Sequence, residues 1–431
     1  MIRFYRNHIK RLYDYEYIMS RTLSKFRTLL KFDKLYGAQN YKPLPVVLNR
    51  GEGVYVYDIN DNKYFDFLSS YSSVNQGHCH PRLVKTMKEQ CQQLTLCSRA
   101  FYNDKLSIFY KYMHDTFKYD KCLPMNTGVE ACETAIKLAR LWGYKTKKIP
   151  HNKAEHVFPM NNFWGRSIAA CSSSTDPSCF THFGPYLNGF HFVEYNNIEQ
   201  LELTFKNNPY ICSYMMEPIQ GEAGIIIPNE SYLHDVRKLC DKYNVLLICD
   251  EVQTGLGRTG SLLCSQPSNI HNSNVVPDMI VLGKALTGGM MPMSCVLANN
   301  HIMDNIDPGS HGSTYGGNPL ASAIAIEAVQ IIKDENLLHN ASKYGSLFRD
   351  TIHDNFVVNG IVKDVRGKGL LNAIEFNTPE MADDVVFKLM KNGLLTKVTR
   401  DKTVRMCPPL TLSLAQYQES MDIIVKTLKD I

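Results

Sequence analysis

Two short apolar runs separated by a helix-length segment constrain the fold of this chain most strongly. The runs are residues 211–216 and 245–249. Between them, apolar residues recur at helical spacing at Tyr232, Leu233, Val236, Leu239 and Tyr243. Strands that are apolar on both faces are typical of a parallel sheet covered by helices. The pattern predicts a β-α-β unit, with Met279–Leu282 as a further strand of a doubly wound α/β domain.

The last hundred residues have a different pattern, which predicts a smaller α+β domain. A helical pattern over 381–390 stops at Gly393, a short strand is predicted at 403–406, and a closing helix at about 413–428. Near the other end of the chain, residues 55–67 are typical of a hairpin with its turn at Asn60-Asp61-Asn62.

The length of 431 residues is sufficient for two hydrophobic cores, because single cores stop growing at roughly 250–300 residues. We predict a basic N-terminal extension (1–35), an N-terminal segment that packs with the small domain (36–80), a large cofactor-binding domain (81–320) and a C-terminal small domain (321–431).

Composition argues against several classes of function. The net charge of +5 is small and the basic residues are scattered, so we expect no nucleic-acid partner. No apolar run approaches the roughly 18 residues that span a bilayer, so we expect no membrane insertion. The 13 cysteines are odd in number and contain no Cys-x-x-Cys pair, which favours reduced thiols. His78-Cys79-His80 points its side chains to alternate sides, so no metal is expected there.

The N-terminus leaves the compartment open. Basic residues dominate the first 34 positions, and Asp14, Glu16 and Asp33 are the only acids. This partly resembles a mitochondrial transit peptide, most clearly over residues 19–30, which contain no acid. A basic tail without a targeting role is the alternative. Both a mitochondrial and a cytoplasmic location stay open, with a slight preference for the mitochondrial matrix.

An acid and an amine follow two predicted strands. Asp250 comes directly after 245–249, and Lys284 follows Met279–Leu282 after one glycine. Ligands of open α/β sheets bind at the carboxyl ends of strands. Either residue alone is also compatible with a charge at the rim of the sheet. Together they match the needs of pyridoxal 5'-phosphate (PLP), in which a lysine forms a Schiff base and a carboxylate keeps the pyridine nitrogen protonated.

A phosphate site is predicted at the start of a helix. Thr127 and Glu130 form a capping-box pattern, and Gly128 lets backbone amides approach an anion where the helix dipole favours negative charge. A capped helix without a ligand is the alternative. The Gly-x-Gly-x-x-Gly spacing at 255–260 is a weaker signal for a dinucleotide, because it does not lead from a strand straight into a helix. We interpret it as a loop.

Five co-linear motifs carry a family resemblance. Residues 126–131 (NTGVEA), 217–222 (EPIQGE), 250–255 (DEVQTG), 283–285 (GKA) and 311–319 (HGSTYGGNP) resemble the class III aminotransferases in order and spacing. The resemblance covers the chain from about Tyr36 to its end. Residues 36–41, 67–72 and 162–166, including Trp164, resemble the members that act on the side-chain amine of ornithine.

The resemblance implies fold type I of the PLP-dependent transferases: a mostly parallel sheet with helices on both faces, plus a smaller α+β domain. It assigns Lys284 as the Schiff-base lysine and proton carrier, and Asp250 as the partner of the pyridinium. Gln253 would reach the ring hydroxyl, and Phe163 would stack on the ring.

The resemblance also implies a homodimer with shared active sites. Gly128 and Val129 would bind the phosphate through their backbone amides, and Ser313 and Thr314 would contribute from the second subunit. Two departures from the family pattern, Met291 and a long loop at 261–276, affect the pocket rim rather than these positions.

For the substrates, the resemblance implies two arginines. Arg166 would bind the α-carboxylate of ornithine or the distal carboxylate of glutamate, and Arg405 would bind the α-carboxylate of glutamate. Glu222 would screen Arg405 while ornithine is bound, Tyr41 would bind the α-amino group of ornithine, and Tyr71 would line the pocket.

The implied activity is ping-pong transfer of the δ-amino group of L-ornithine to 2-oxoglutarate, giving glutamate 5-semialdehyde and L-glutamate. Three alternatives have other sequence signatures. An aminotransferase for acetylornithine or 4-aminobutyrate would differ at Tyr41 and Glu222, a nicotinamide oxidoreductase would use residues 255–260, and a non-catalytic binding protein would have no need of Lys284 and Asp250.

Overall fold

A computed structural model describes residues 25–265 and 275–431. Most of the basic N-terminal extension, and the residues 266–274 within the long loop, lie outside this part. The described chain opens with helical residues at 25–36. None of its described helices is both long enough and apolar enough to cross a membrane.

Fifteen strands are present in the described chain. In chain order they are β1 (Leu48–Glu52), β2 (Tyr55–Asp58), β3 (Lys63–Asp66), β4 (Lys121–Met125), β5 (Glu155–Pro159), β6 (Phe190–Val193), β7 (Ile211–Met216), β8 (Leu246–Asp250), β9 (Met279–Leu282), β10 (Ser294–Ala298), β11 (Asp364–Lys368), β12 (Leu371–Glu375), β13 (Leu394–Leu395), β14 (Val398–Thr399) and β15 (Thr403–Met406).

After the helical residues 25–36, the α-helices are α1 (Pro81–Cys91), α2 (Asp104–Phe117), α3 (Gly128–Lys145), α4 (Ile168–Ser172), α5 (Pro177–Phe180), α6 (Ile198–Asn207), α7 (Tyr232–Tyr243), α8 (Asn300–Met303), α9 (Pro319–Asp334), α10 (Leu337–Ile352), α11 (Pro379–Lys391) and α12 (Leu414–Lys429). Short 3-10 and π-helical turns occupy Lys284–Thr287 and His353–Val357. Residues Ser69–Ser72 form a left-handed turn.

A seven-stranded mixed sheet forms the centre of the molecule, in the order β4-β10-β9-β8-β7-β5-β6. The five strands from β9 to β6 are parallel, and β10 runs antiparallel to both of its neighbours. Every residue of β7, β8 and β9 is buried, because helices cover both faces. The predicted β-α-β unit is confirmed, since β7 and β8 are parallel neighbours joined through α7.

Two four-stranded sheets lie outside the central sheet. One has the order β11-β12-β15-β14, and the other has the order β1-β2-β3-β13. The predicted hairpin is confirmed, as β2 and β3 pair antiparallel around residues 59–62. In the second sheet, β13 pairs in parallel with β3, so the N-terminal strands share a sheet with the C-terminal part of the chain. The exact domain boundaries at 35/36, 80/81 and 320/321 stay a prediction.

The glycine-rich stretch at 255–260 is a series of turns, as the sequence predicted, and it carries a fully buried arginine. Arg258 donates to Asn75 Oδ1 at 2.6 Å and to the carbonyl oxygens of Leu370 and Pro408 at 2.9 and 2.6 Å. Burial lowers the pKa of Arg258 to about 10, which leaves it charged at neutral pH. One side chain thus joins the central domain to the N-terminal segment and to the C-terminal region.

We expect Arg258→Met to lower the free energy of unfolding by about 3–5 kcal/mol, because three buried acceptors lose a charged donor. Urea unfolding followed by circular dichroism measures the change. Arg50→Met is the control, since Arg50 is half exposed in a surface ion pair and should change stability by less than about 1 kcal/mol. Equal effects of the two substitutions would contradict the joining role of Arg258.

Candidate active site

A cavity of about 250 Å³ opens at the carboxyl ends of β8 and β9, where ligands of open α/β sheets bind. Most of the residues predicted to hold the cofactor line it together. The lining consists of Gly128, Val129, Phe163, Trp164, Gly165, Glu217, Glu222, Asp250, Val252, Gln253 and Lys284.

Asp250 is the last residue of β8 and is buried. Its Oδ1 accepts the backbone N–H of Val252 at 3.0 Å, and its Oδ2 lies 3.5 Å from Cys132 Sγ. Burial raises the pKa of Asp250 to about 6, against the lowering effects of the Val252 N–H and of Lys284. A cation placed against this carboxylate would favour its ionised form, since opposite charges lower a carboxyl pKa.

Lys284 begins the short 3-10 turn that follows β9 and is largely buried at the cavity wall. Its φ of +44° is in the left-handed region, which is sterically unfavourable for a residue that has a Cβ. Burial lowers the pKa of its ammonium group, although Glu222 acts in the opposite direction. A lowered pKa increases the neutral fraction of the amine, which is the form that can act as a nucleophile or a base.

The helix α3 starts at the cavity with the capping box that the sequence predicted. Thr127 Oγ1 accepts the N–H of Glu130, and Glu130 Oε2 accepts the N–H groups of Asn126 and Thr127 at 2.8 and 2.9 Å. Gly128 and Val129 are the first residues of α3, so their N–H groups have no partner within the helix. They remain available to an anion in the cavity.

Arg405 and Glu222 form a buried ion pair beside the cavity. Arg405, on β15, is fully buried, and its Nη2 donates to Glu222 Oε1 at 2.9 Å and to the Gly221 carbonyl at 3.2 Å. Its Nη1 donates to Gln253 Oε1 at 3.0 Å. Burial alone would raise the pKa of Glu222, but Arg405 and Lys284 bring it below its usual value. The amide of Gln253 is therefore engaged in this network.

A second cavity of about 300 Å³ adjoins the first and shares Phe163 and Glu222 with it. Its wall contains the remaining predicted substrate residues, Arg166, Tyr41 and Tyr71. The guanidinium carbon of Arg166 lies 5.6 Å from the centre of the Phe163 ring. Among the described residues, Arg166 has no carboxylate partner within 4 Å, in contrast to Arg405.

Two predicted cofactor residues lie apart from the cavity of this single chain. Ser313 Oγ accepts from Asn126 Nδ2 at 3.0 Å and from the Gly316 N–H at 2.9 Å, close to the start of α3. Thr314 is exposed. Neither residue lines the cavity.

Glu217 was not assigned a role from the sequence, although it follows β7 just as Asp250 ends β8. Its carboxylate accepts the N–H of Phe163 at 3.0 Å and the N–H of Gly221 at 2.9 Å. Burial, followed by the charge of Asp250, raises its pKa to about 8. Glu217 therefore fixes both the aromatic residue and the loop that carries Glu222. The strand-end rule that singled out Asp250 would also have found it.

Comparisons with known proteins agree with this geometry. The family model for class III aminotransferases matches residues 36–428. The ornithine aminotransferase of Plasmodium falciparum is 52% identical over 91% of this chain and 94% of its own length. The mitochondrial ornithine aminotransferase of Drosophila melanogaster is also 52% identical, over 91% and 89%.

The solved structures include an ornithine aminotransferase from Toxoplasma gondii, in which PLP partly occupies the active site. It superposes with a TM-score of 0.91 at 43% identity, over 94% of each chain. The fold is therefore fold type I, and the chain belongs to the class III aminotransferases, a family of enzymes that use PLP.

Proposed function

We propose that this enzyme transfers the δ-amino group of L-ornithine to 2-oxoglutarate, giving glutamate 5-semialdehyde and L-glutamate. The observation that carries the proposal is the buried Arg405–Glu222 pair, set against an Arg166 without a carboxylate partner among the described residues. Arg405 is thus paired with a carboxylate of the protein, whereas Arg166 can bind the carboxylate of a substrate. An enzyme in which one substrate reacts at its side-chain amine and the other at its α-carbon needs these two arginines to differ in this way.

The cavity residues suit PLP. Lys284 offers an amine for the aldehyde, Asp250 a carboxylate for the ring nitrogen, and the start of α3 two free N–H groups for the phosphate. Phe163 offers an aromatic face. Gln253 lines the cavity, and its amide would exchange a contact with Glu222 or Arg405 for one with the ring hydroxyl. When bound, PLP withdraws electrons from the substrate carbon that carries the amine and so makes its proton acidic.

Lys284 then acts as the base. Burial shifts its Nζ toward the neutral form, so Nζ can accept the proton from the δ-carbon of ornithine. Nζ donates this proton again later in the same half-reaction. Asp250 holds the proton of the pyridine nitrogen in place by keeping a negative charge beside it. Glu217 keeps Phe163 and the Glu222 loop in position.

Substrate choice depends on which arginine is exposed. Arg166 binds the α-carboxylate of ornithine, the Tyr41 hydroxyl accepts a hydrogen bond from its α-ammonium group, and Tyr71 forms a wall of the pocket. Glu222 neutralises Arg405 meanwhile, so the α-end of ornithine is not drawn toward the reacting position. When 2-oxoglutarate enters, its α-carboxylate replaces Glu222 on Arg405, and Arg166 binds the distal carboxylate.

We also propose a homodimer in which Ser313 and Thr314 complete the phosphate site of the other subunit. Support comes from large aromatic side chains that are exposed in the single chain. Tyr315 is 58% exposed and follows Thr314 directly, while Phe101 and Tyr102 are 71% and 100% exposed. Exposed apolar surface of this kind is typical of subunit contacts.

We also propose a mitochondrial location for this enzyme. Support comes from the basic N-terminus and from the mitochondrial Drosophila relative.

The proposal is tested with purified protein and ornithine in the absence of any oxo acid. We expect the visible absorption of bound PLP to be lost in one turnover, with glutamate 5-semialdehyde as the product, and to return on addition of 2-oxoglutarate. Lys284→Ala should keep less than about a thousandth of the turnover, because it removes both the anchor and the base. Unchanged absorption with ornithine but reaction with acetylornithine or 4-aminobutyrate would assign a different substrate.

Glu222→Ala should shift the preference of the enzyme from ornithine toward glutamate. Without Glu222, Arg405 can bind an α-carboxylate in both half-reactions. Because an α-carboxylate then no longer competes with a charge-assisted contact, the affinity for glutamate should change by about tenfold or more relative to ornithine. Single-turnover rate constants for each amino donor measure the shift. Glu155→Gln, a carboxylate paired with His191 away from the cavity, is the control. An equal decrease in the rate constants for ornithine and glutamate would disprove the role of Glu222 in keeping Arg405 from the α-carboxylate of ornithine.

Tyr41→Phe should impair ornithine turnover more than turnover of 4-aminobutyrate. Only ornithine carries an α-ammonium group, and one hydrogen bond to a charged group contributes about 1.5–3 kcal/mol, or roughly tenfold to a hundredfold. Comparison of kcat/KM for the two donors tests the difference. Equal decreases would remove Tyr41 from ornithine recognition.

A further inference from the structure

Four consecutive residues beside the substrate pocket have a left-handed backbone. The φ angles of Ser69, Ser70, Tyr71 and Ser72 are +48°, +47°, +58° and +71°. None of these residues is glycine, and the left-handed region is sterically unfavourable for every other residue type. Runs of this kind persist only where surrounding contacts hold them.

One carboxylate holds the entry to this turn. Asp66, at the end of β3, is buried, and its Oδ1 accepts the N–H groups of Leu68 at 2.9 Å and Ser69 at 2.8 Å. The other oxygen, Oδ2, lies 2.7 Å from His78 Nε2. Asp66 thus satisfies two amides that a left-handed turn would otherwise leave unpaired, and His78 fixes the orientation of Asp66.

The turn determines where the Tyr71 ring lies. Tyr71 lines the same pocket as Arg166 and Tyr41. The guanidinium carbon of Arg405 lies 5.3 Å from the centre of the Tyr71 ring, within the range of a cation–π contact. The remaining polar partners of Arg405 are on the other loops, at Glu222, Gly221 and Gln253, and at Thr399. When Glu222 leaves, Tyr71 and Gln253 are the contacts of Arg405 that stay on the pocket side.

We propose that Asp66, supported by His78, is a positioning residue that fixes Tyr71 against Arg405 and thereby sets the affinity for the α-carboxylate of 2-oxoglutarate. The inference rests on the proposed function, since it assigns this carboxylate to Arg405. Asp66 does not touch the substrate and acts through the turn. Its loss should therefore affect the half-reaction that uses Arg405 more than the half-reaction in which Arg405 is paired with Glu222 and Tyr71 only forms a wall of the pocket.

A matched control exists in the same sheet. Asp58, at the end of β2, is also buried, and its Oδ1 accepts the N–H groups of Asn60 and Asn62 at 2.8 and 3.0 Å. It lines neither of the two site cavities. Asp58→Ala therefore removes the same kind of turn support without reaching the pocket.

The kinetic test uses Asp66→Ala, Asp66→Asn and Asp58→Ala in separate half-reactions. We expect Asp66→Ala to raise the KM for 2-oxoglutarate about threefold to thirtyfold, the range of a cation–π contact, and to change the ornithine half-reaction by a clearly smaller factor. Asp66→Asn should restore most of the affinity, because its Oδ1 still accepts both N–H groups. Asp58→Ala should leave the ratio of the two half-reactions at the wild-type value.

A double-mutant cycle tests whether Asp66 acts through Tyr71. In a Tyr71→Ala background, Asp66→Ala should cause no further rise in the KM for 2-oxoglutarate, since residues that act through one contact are not additive. An additive second rise would overturn the proposal. If Asp66→Ala does not fold, His78→Ala carries the same cycle, because it removes only the outer support of the carboxylate.

Hydrogen exchange supplies a reading that does not depend on turnover. Asp66→Ala should accelerate exchange at the amides of residues 68–74, whereas Asp58→Ala should accelerate only those of residues 59–63. A wild-type enzyme that does not react with ornithine would refute the proposed function, while this exchange pattern would still test the support of the turn. The positioning role itself is overturned if wild type reacts and Asp66→Ala gives the same kinetic ratio as Asp58→Ala, even where exchange at residues 68–74 is faster.

Discussion

The buried ion pair between Arg405 and Glu222 is the interaction on which the arrangement of this site depends. It joins β15 of the C-terminal region to the loop that follows β7 of the central sheet. Burying the charge of Arg405 is costly unless its donors are all satisfied, and an arginine that is permanently paired would be unable to bind a substrate. Glu222 resolves the conflict because it lies at the cavity wall and a substrate carboxylate can replace it. Two different substrates can therefore use one pocket.

Much of the fold was predictable from the sequence because its signals are local. The apolar runs at 211–216 and 245–249 predicted β7 and β8 to within one residue, and the Thr127–Glu130 pattern predicted the start of α3. The strand-end rule and the co-linear motifs then brought Asp250 and Lys284 to one cavity. Their catalytic and binding roles stay proposals until they are measured.

The supporting contacts were less accessible because they depend on side chains distant in sequence. Arg258 lay within a glycine-rich stretch, and its bonds to Asn75, Leu370 and Pro408 span most of the chain. The left-handed turn at residues 69–72 has no glycine to mark it. Asp66 gave no signal either, since it lies in the predicted hairpin at 55–67 and not at the carboxyl end of a strand in the parallel sheet. Such residues shape the pocket without belonging to any motif.

The central claim is that the side-chain amine, rather than the α-amine, is moved. The most direct measurement supplies the enzyme with 2-oxoglutarate and with ornithine labelled with ¹⁵N at either the δ-position or the α-position. Mass spectrometry then detects whether the glutamate that forms carries the label. If the claim holds, ¹⁵N at the δ-position of ornithine appears in glutamate, and ¹⁵N at the α-position stays in the product derived from ornithine. Appearance of the α-label in glutamate would contradict the account.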